Sequence, residues 1–262
     1  MAAAARVGLI AAAVEQLRML RHRAHAARLA LAGGGRDAMR QWRHAHGHTV
    51  ADGPFLGMRY PPRWGDASAL GKLVGSYESE LHPAIDSLLR RGPERIIVVG
   101  SAEGYYSVGC ARAVPTARID AFDTDVLARW NTVKLAQDND VGGRVHVHSE
   151  ANPSSLAVAL TRGPALIICD CEGYEDILLR PQRTPALVAC DILVELHEQT
   201  HEHLGEEIAA RFPDSHATFI LSADRQVADY ATLTAISEPL RSLALREFRY
   251  TQRWLVLRAP TT

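Results

Sequence analysis

The stretch that most constrains this chain runs from Arg95 to Cys110, Arg-Ile-Ile-Val-Val-Gly-Ser-Ala-Glu-Gly-Tyr-Tyr-Ser-Val-Gly-Cys. Ile96 to Val99 form an apolar run with no polar break, the pattern of a strand buried on both faces of a parallel sheet. Gly100 ends the run, Gly104 opens the next element, and Tyr105–Ala113 carries a helical pattern. A strand, a glycine turn and a helix make a nucleotide-binding corner. Glycine lets the backbone approach a ligand, and helix N-terminal N–H groups face it. Asp123 closes the next predicted strand, Arg118–Asp123. It lies about 20 residues past the turn, where a carboxylate meets a ribose diol.

The turn restricts which nucleotide fits. A Gly-x-Gly-x-x-Gly fingerprint needs glycine where Ala102 stands, and a phosphate loop needs Lys-Ser or Lys-Thr where Cys110 follows Gly109. Glu103 in the turn would repel a pyrophosphate. S-adenosylmethionine (SAM) has a ribose and an adenine, no phosphate, and two cationic groups, so an acidic glycine turn suits it better than NAD or ATP. The plainer alternative is any α/β protein with a glycine strand-to-helix turn.

The 262 residues suffice for one large α/β domain, or a domain with an extension. A net charge of −1 and 47% hydrophobic residues predict a globular chain with no global field for nucleic acid. Lys72 and Lys134 are the only lysines, read as compositional bias. Cys110, Cys169, Cys171 and Cys190 lack Cys-x-x-Cys spacing; Cys169 and Cys171 are read as alternating across a strand and unbridged, which fits reduced thiols in the cytoplasm. Val7–Val14 is too short to span a bilayer. Ala2 to Leu31 reads as an alanine-rich helix, with Arg18, Arg21, Arg23 and Arg28 as a solvated basic face and Gly33–Gly35 at its end. His44, His46 and His48 lack the partners of a metal shell and read as surface residues. Gly53–Met58 and Tyr60-Pro61-Pro62 are apolar loop formers of the kind that cover a pocket. Residues 1–75 are thus expected to be a helical extension and lid, and residues 76–262 the nucleotide-binding domain.

Leu73–Leu89 reads as a helix broken or entered at Pro83. Beyond Arg95, strands are predicted at Ile96–Val99, Ile119–Asp123, Val145–His148, Ala165–Cys169, Leu187–Glu195, Ala217–Leu221 and Gln252–Leu257. Helices are predicted at Tyr105–Ala113, Val126–Asp138, Ser154–Leu160, Tyr174–Arg180 and His203–Phe212. This alternation means βαβ units on a parallel sheet.

Four stretches resemble the FkbM-type family of SAM-dependent methyltransferases. They are Val98-Val99-Gly100-Ser101-Ala102-Glu103-Gly104-Tyr105-Tyr106, Ala121-Phe122-Asp123-Thr124-Asp125, Cys169-Asp170-Cys171-Glu172-Gly173-Tyr174-Glu175 and Leu193-Val194-Glu195-Leu196-His197. The Asp-x-Glu-Gly-x-Glu stretch is the most specific. The resemblance implies a Rossmann-like class I methyltransferase fold: a seven-stranded, mostly parallel sheet with helices on both faces and an antiparallel last strand. The family's usual Asp two residues before the first glycine is Val98 here, and Glu103 is expected to take the methionine ammonium instead. The expected cofactor contacts are Gly100, Ser101, Glu103, Gly104 and Tyr105, with Asp123, Thr124, Ser149, Glu150, Asp170 and Tyr77.

Methyl transfer to a hydroxyl needs an acceptor in line behind the methyl, a route for its proton, and exclusion of water. His197, Glu195 and Glu172 are the expected catalytic residues, at strand ends where open α/β sheets bind ligands. The resemblance to magnesium-dependent O-methyltransferases of this fold makes Asp170, Glu195 and His197 candidate ligands for Mg²⁺ or another divalent cation. Without a cation, His197 is the expected general base, since an ordinary imidazole titrates near pH ~6.5. The expected activity is O-methylation of a small-molecule, natural-product-like hydroxyl, with monomer and homodimer both open. The alternatives are an amine acceptor, a non-catalytic nucleoside or SAM binder on the same fold, and a zinc hydrolase using His197-Glu198-x-x-His201. If Asp123 holds the ribose, Asp123→Ala should weaken SAM about ten- to a hundred-fold by calorimetry; unchanged affinity in the folded variant would remove that role.

Overall fold

The computed structural model describes residues 35–61, 68–198, 201–222, 237 and 252–260. The expected N-terminal helix, with its basic face, lies outside them. The alternation predicted from the sequence becomes one seven-stranded sheet, ordered β3-β2-β1-β4-β5-β7-β6. Its strands are β1 (Arg95–Val99), β2 (Arg118–Phe122), β3 (Val145–His148), β4 (Leu166–Cys169), β5 (Asp191–Leu196), β6 (His216–Leu221) and β7 (Arg253–Arg258). β1 to β5 are mutually parallel, and β7 runs antiparallel to both β5 and β6. This is the Rossmann-like methyltransferase fold that the resemblance implied.

The apolar runs follow from burial on two sides. Ile96, Val98, Ile119, Ala121, Leu166, Ile168 and Leu193 face one core layer, while Ile97, Val99, Phe122, Ile167, Cys169, Ile192 and Val194 face the other. A strand with both faces covered has no polar positions to alternate. The first layer is covered by α3 (His82–Arg90), α4 (Tyr105–Ala113) and α5 (Val126–Asp138). The second is covered by α6 (Pro153–Leu160), α7 (Glu175–Leu178) and α8 (Leu204–Ala210).

Three element expectations are corrected. The helix over Leu73–Leu89 is split into α2 (Ala69–Val74), a 3-10 turn at Ser79–Leu81, and α3. Gly75 stops α2 in the left-handed region at φ 88°, against the backbone of Asp52. The strand over Leu187–Glu195 begins only at Asp191, where it pairs with Leu166; Pro185–Ala189 is a 3-10 turn. The helix over Tyr174–Arg180 shrinks to α7. Reading Cys169 and Cys171 as alternating is also corrected, because residues two apart in extended chain share a face and their sulfurs lie 3.5 Å apart.

The sequence reading held no helix at α1 (Gly35–His46), which buries Ala38 and Trp42 one turn apart, while His44 on it is exposed. Beyond it, Val50, Phe55, Met58 and Tyr60 join the same core layer as β1 and α4. Phe55 packs edge-on to Tyr105 and Tyr106, and its ring occupies the space a side chain at Gly109 would fill. The Gly53–Met58 loop is therefore seated on α4, and the chain after it reaches the glycine turn through Tyr60. Phe55→Ala should lower unfolding stability by about 3–5 kcal/mol in urea titration. A loss under about 1 kcal/mol would mean the loop is not part of the core.

Candidate functional site

The sheet changes winding direction between β1 and β4, and open α/β sheets bind ligands in the crevice beyond the strand ends at such a point. Here the two strand ends touch. Gly100 sits at φ 79°, and a Cβ on it would lie 1.6 Å from the carbonyl oxygen of Asp170. Only glycine allows that approach. The Gly100 and Ser101 N–H groups both donate to the Phe122 carbonyl, each at 2.9 Å, which ties the turn to β2. Ala102 in the turn and Glu172 after β4 are left-handed without being glycine, at φ 46° and 59°. Such backbone costs about 1–3 kcal/mol per residue and collects at functional sites.

Asp123 follows β2 directly. Its carboxylate accepts from the Ala102 N–H and the Asp125 N–H, both at 2.8 Å, so it also clasps the glycine turn. Thr124 beside it is exposed. Ser149 and Glu150 follow β3, exposed, at the same sheet edge. Gly104 precedes α4, and Ser101 is buried within hydrogen-bond reach of Thr132. The turn residues, Asp123 and the chain after β3 thus share one edge.

Glu103 is engaged elsewhere. Lys72 donates to its carboxylate, and the Tyr60 hydroxyl donates at 2.8 Å. Burial alone would raise the Glu103 carboxyl, but the Lys72 charge holds it below its ordinary value. The Lys72 ammonium lies over the rings of Tyr60, Tyr77 and Tyr105, with centroids 4.8 to 5.8 Å away. Three tyrosine faces and one carboxylate offset the cost of burying a lysine. The repulsion of a pyrophosphate expected from Glu103 is correspondingly weakened. Beside this cage, the Tyr106 hydroxyl donates to Glu78, and burial followed by the Glu78 charge raises its pKa well above the ordinary value.

Across the crevice, β4 and β5 end in a cluster of acids around one imidazole. His197 Nδ1 lies 2.9 Å from Glu175 Oε1. Its Nε2 lies 3.1 Å from Glu172 Oε2 and 3.7 Å from Asp170 Oδ1. Glu175 Oε1 also accepts from the N–H groups of Cys171 and Gly173, at 3.1 and 3.2 Å, and so holds the turn that presents Glu172. Burial works to lower the His197 pKa, but Glu172, Glu175 and Asp170 outweigh it and push it up to about 12. The premise of an imidazole titrating in its ordinary range therefore fails here. Burial, then the neighbouring Glu172 charge, raises the Asp170 carboxyl.

One nitrogen and two oxygens, on His197, Glu172 and Asp170, lie within 4.8 Å of one another. Asp170 Oδ1 is buried and accepts no hydrogen bond from the described residues. Of the expected Asp170, Glu195 and His197, Asp170 and His197 belong to this group, and its third member is Glu172. Glu195 is buried opposite Trp254 on β7, and it works to lower the Asp170 pKa against burial and Glu172, which together raise it.

His197 and His201 of the His-Glu-x-x-His stretch belong to different clusters, because His201 Nε2 pairs with Glu207 at 3.1 Å. Glu198 between them accepts from Arg253. The residues around His197 end a strand instead of lying on a helix, so the zinc-protease arrangement is absent among the described residues. Glu175 and Lys72 are the important side chains that sequence reasoning left without a role. Glu175 is the last acid of the Asp-x-Glu-Gly-x-Glu stretch, and Lys72 is one of two lysines.

No family model matches the chain, and no curated protein matches it in sequence. Among solved structures, it is similar to the O-methyltransferase TomG from Streptomyces achromogenes, involved in tomaymycin synthesis and solved with SAM. That likeness has 16% identity, 71% of this chain, 89% of that one and a TM-score of 0.43. An O-methyltransferase from Bacillus cereus solved with SAH matches at 11% identity, 85% of this chain, 89% of that one and a TM-score of 0.42. A methyltransferase from Geobacter sulfurreducens matches at 15% identity, 72% of this chain, 78% of that one and a TM-score of 0.43. No helix among the described residues is long and apolar enough to cross a membrane.

Two of the acids facing His197, Glu175 and Asp170, should respond oppositely to substitution. Glu175→Ala leaves a buried imidazolium and two backbone N–H groups without their acceptor, and should cost about 3–5 kcal/mol. Asp170→Asn removes a charge that burial and Glu172 already disfavour, and should leave stability unchanged or raise it. Chemical denaturation at neutral pH checks both; equal losses would contradict the charge balance described.

Proposed function

We propose that this chain is a SAM-dependent methyltransferase, of the FkbM type, that methylates a hydroxyl of a small molecule. The observation that carries this reading is the crevice itself. A glycine turn clasped by Asp123 faces the Asp170, Glu172 and His197 cluster across the β1/β4 junction. The nucleoside end of SAM fits the turn, with Asp123 toward the ribose and the Ser149–Glu150 segment toward the base. SAM supplies a methyl group on a sulfonium, and the acid cluster stands where an acceptor would lose its proton. Lys72 already satisfies Glu103, so a methionine ammonium would meet that carboxylate only by sharing it.

The donor set also fits a divalent cation. His197 would present Nε2 while donating from Nδ1 to Glu175, an outer carboxylate that fixes the ring. Asp170 and Glu172 would add oxygen donors. A cation there lowers the pKa of a bound hydroxyl. It would also displace the proton that otherwise holds His197 as an imidazolium. This version is favoured because a histidine titrating near 12 has no free lone pair at neutral pH for an acceptor proton. A hydroxyl acceptor must lose its proton as it attacks, which is the step a bound cation would assist.

Calorimetry with SAM separates this reading from the zinc hydrolase. Methyl-labelled SAM offered with panels of small hydroxyl and amine acceptors separates enzyme from binder. His197→Ala should lose at least about a hundred-fold in methyl transfer while SAM affinity survives, because it removes the one nitrogen donor of the set that would hold the cation. EDTA should abolish turnover, with Mg²⁺ or Mn²⁺ restoring it. Full turnover in EDTA would eliminate the cation, and no SAM binding would eliminate the enzyme class.

A further inference from the structure

A second concentration of charge lies away from the crevice, on the sheet face that α6 covers. A groove runs under α6 along β2, from the start of β1 to the end of β3. Arg118, Asp120 and Phe122 lie two apart on β2, share a face and line it. Arg95 of β1 and His148 of β3 line it from either side, and Arg162, just past α6, lines it from the helix. Three guanidiniums and an imidazole thus border a groove with one carboxylate.

That carboxylate is fully used. Asp120 accepts from Arg95 Nη2 at 3.0 Å and Arg118 Nη2 at 3.4 Å, and pairs with His148 Nε2 at 3.0 Å. Positive charge remains in excess. Arg95 is only 8% exposed, yet its Nε and Nη1 have no acceptor among the described residues, and neither does Arg118 Nε. A guanidinium cannot shed its proton to relieve this, and a buried donor left without an acceptor is costly, the more so when charged. The surplus reaches the neighbouring strand position: burial first, then Arg118, with His148 and Arg162 adding, lowers the His146 pKa. Arg95 and Arg118 open their strands, whereas Gly100 and Asp123 follow the other ends of β1 and β2. At about 3.3 Å per residue, the five-residue strands put these arginines roughly 16 Å from the crevice.

We propose that this groove is a second binding site, for a small oxyanion, with Arg118 and Arg162 as its clamps and the buried Arg95 behind them. Phosphate and carboxylate offer guanidinium groups the same planar pairs of oxygens, so the shared chemistry is an oxyanion on a small molecule. The site does not depend on the methyltransferase reading.

The test titrates the full chain by calorimetry with inorganic phosphate, and separately with acetate and citrate, at ionic strength held constant with chloride. Saturable binding of at least one is expected, and which anion binds separates a phosphate from a carboxylate ligand. Arg118→Gln and Arg162→Gln should each weaken it at least about ten-fold, the loss of one charge-assisted contact. Arg162 is exposed and outside the Asp120 network, so Arg162→Gln decides the matter if Arg118→Gln disturbs the fold. SAM affinity should be unchanged in both, which keeps failure here distinct from failure of the methyltransferase reading. No saturable binding of any of the three anions, or equal binding by Arg162→Gln, would overturn the proposal.

Discussion

The structure turns on a backbone contact. Where β1 ends, Gly100 leaves no room for a side chain against the Asp170 carbonyl, and that absence lets the ends of β1 and β4 close on each other. The Asp170 N–H donates to the Val99 carbonyl at 2.9 Å, extending the parallel ladder by one step before both chains turn away. Both walls of the crevice start from this point. The glycine turn leaves one side of it, held by Asp123, and the acid turn leaves the other, held by Glu175. Two carboxylates therefore brace two loops that would otherwise splay, each accepting two backbone N–H groups.

The electrostatics of the two walls differ for a physical reason. On the turn side, Glu103 and Lys72 neutralise each other inside a ring of tyrosines, so the pair is buried but balanced. On the acid side, several carboxylates share one imidazole, and the negative charge is not matched. Glu175 gains from His197, its carboxyl held below the ordinary range by that partner although burial opposes it, whereas Asp170 is pushed up. Surplus negative charge on a wall raises the pKa of the groups that share it, as it does for Asp170 and His197. The groove under α6 is the opposite case, with guanidiniums in excess over Asp120.

Much of this was legible in the residues. The unbroken run from Ile96 to Val99 announced a strand covered on both faces, and the seven strands with their reversed last member followed from the pattern and from the resemblance. α5 and β3 fall on the residues predicted for them, because Asp125 caps the first and the second alternates Val-His-Val-His. The misjudged elements lie where local pattern loses to packing. Nothing between Leu73 and Leu89 says that Gly75 must turn left-handed against Asp52, and the apolar run after Pro185 reads as strand until β4 is there to pair with only part of it. Trp42, Phe55 and Tyr60 looked like loop and extension; they become core only by packing into the layer that β1 and α4 share.

For the site, the sequence by itself determined the chemistry on offer: an acid after the second strand, a cluster of acids after the fourth, a histidine after the fifth. Those are consequences of residue type and strand order, and a parallel sheet delivers them all to one edge. The tertiary structure decided which of them meet. It turned Glu195 toward Asp170 and put Glu172 on His197, because Glu172 lies in a left-handed turn that strand periodicity does not describe. It spent Glu103 on a lysine 31 positions away and raised His197 out of the range of an ordinary base. Charge pairing depends on distance in space, and a linear pattern carries that distance only within a turn or a strand.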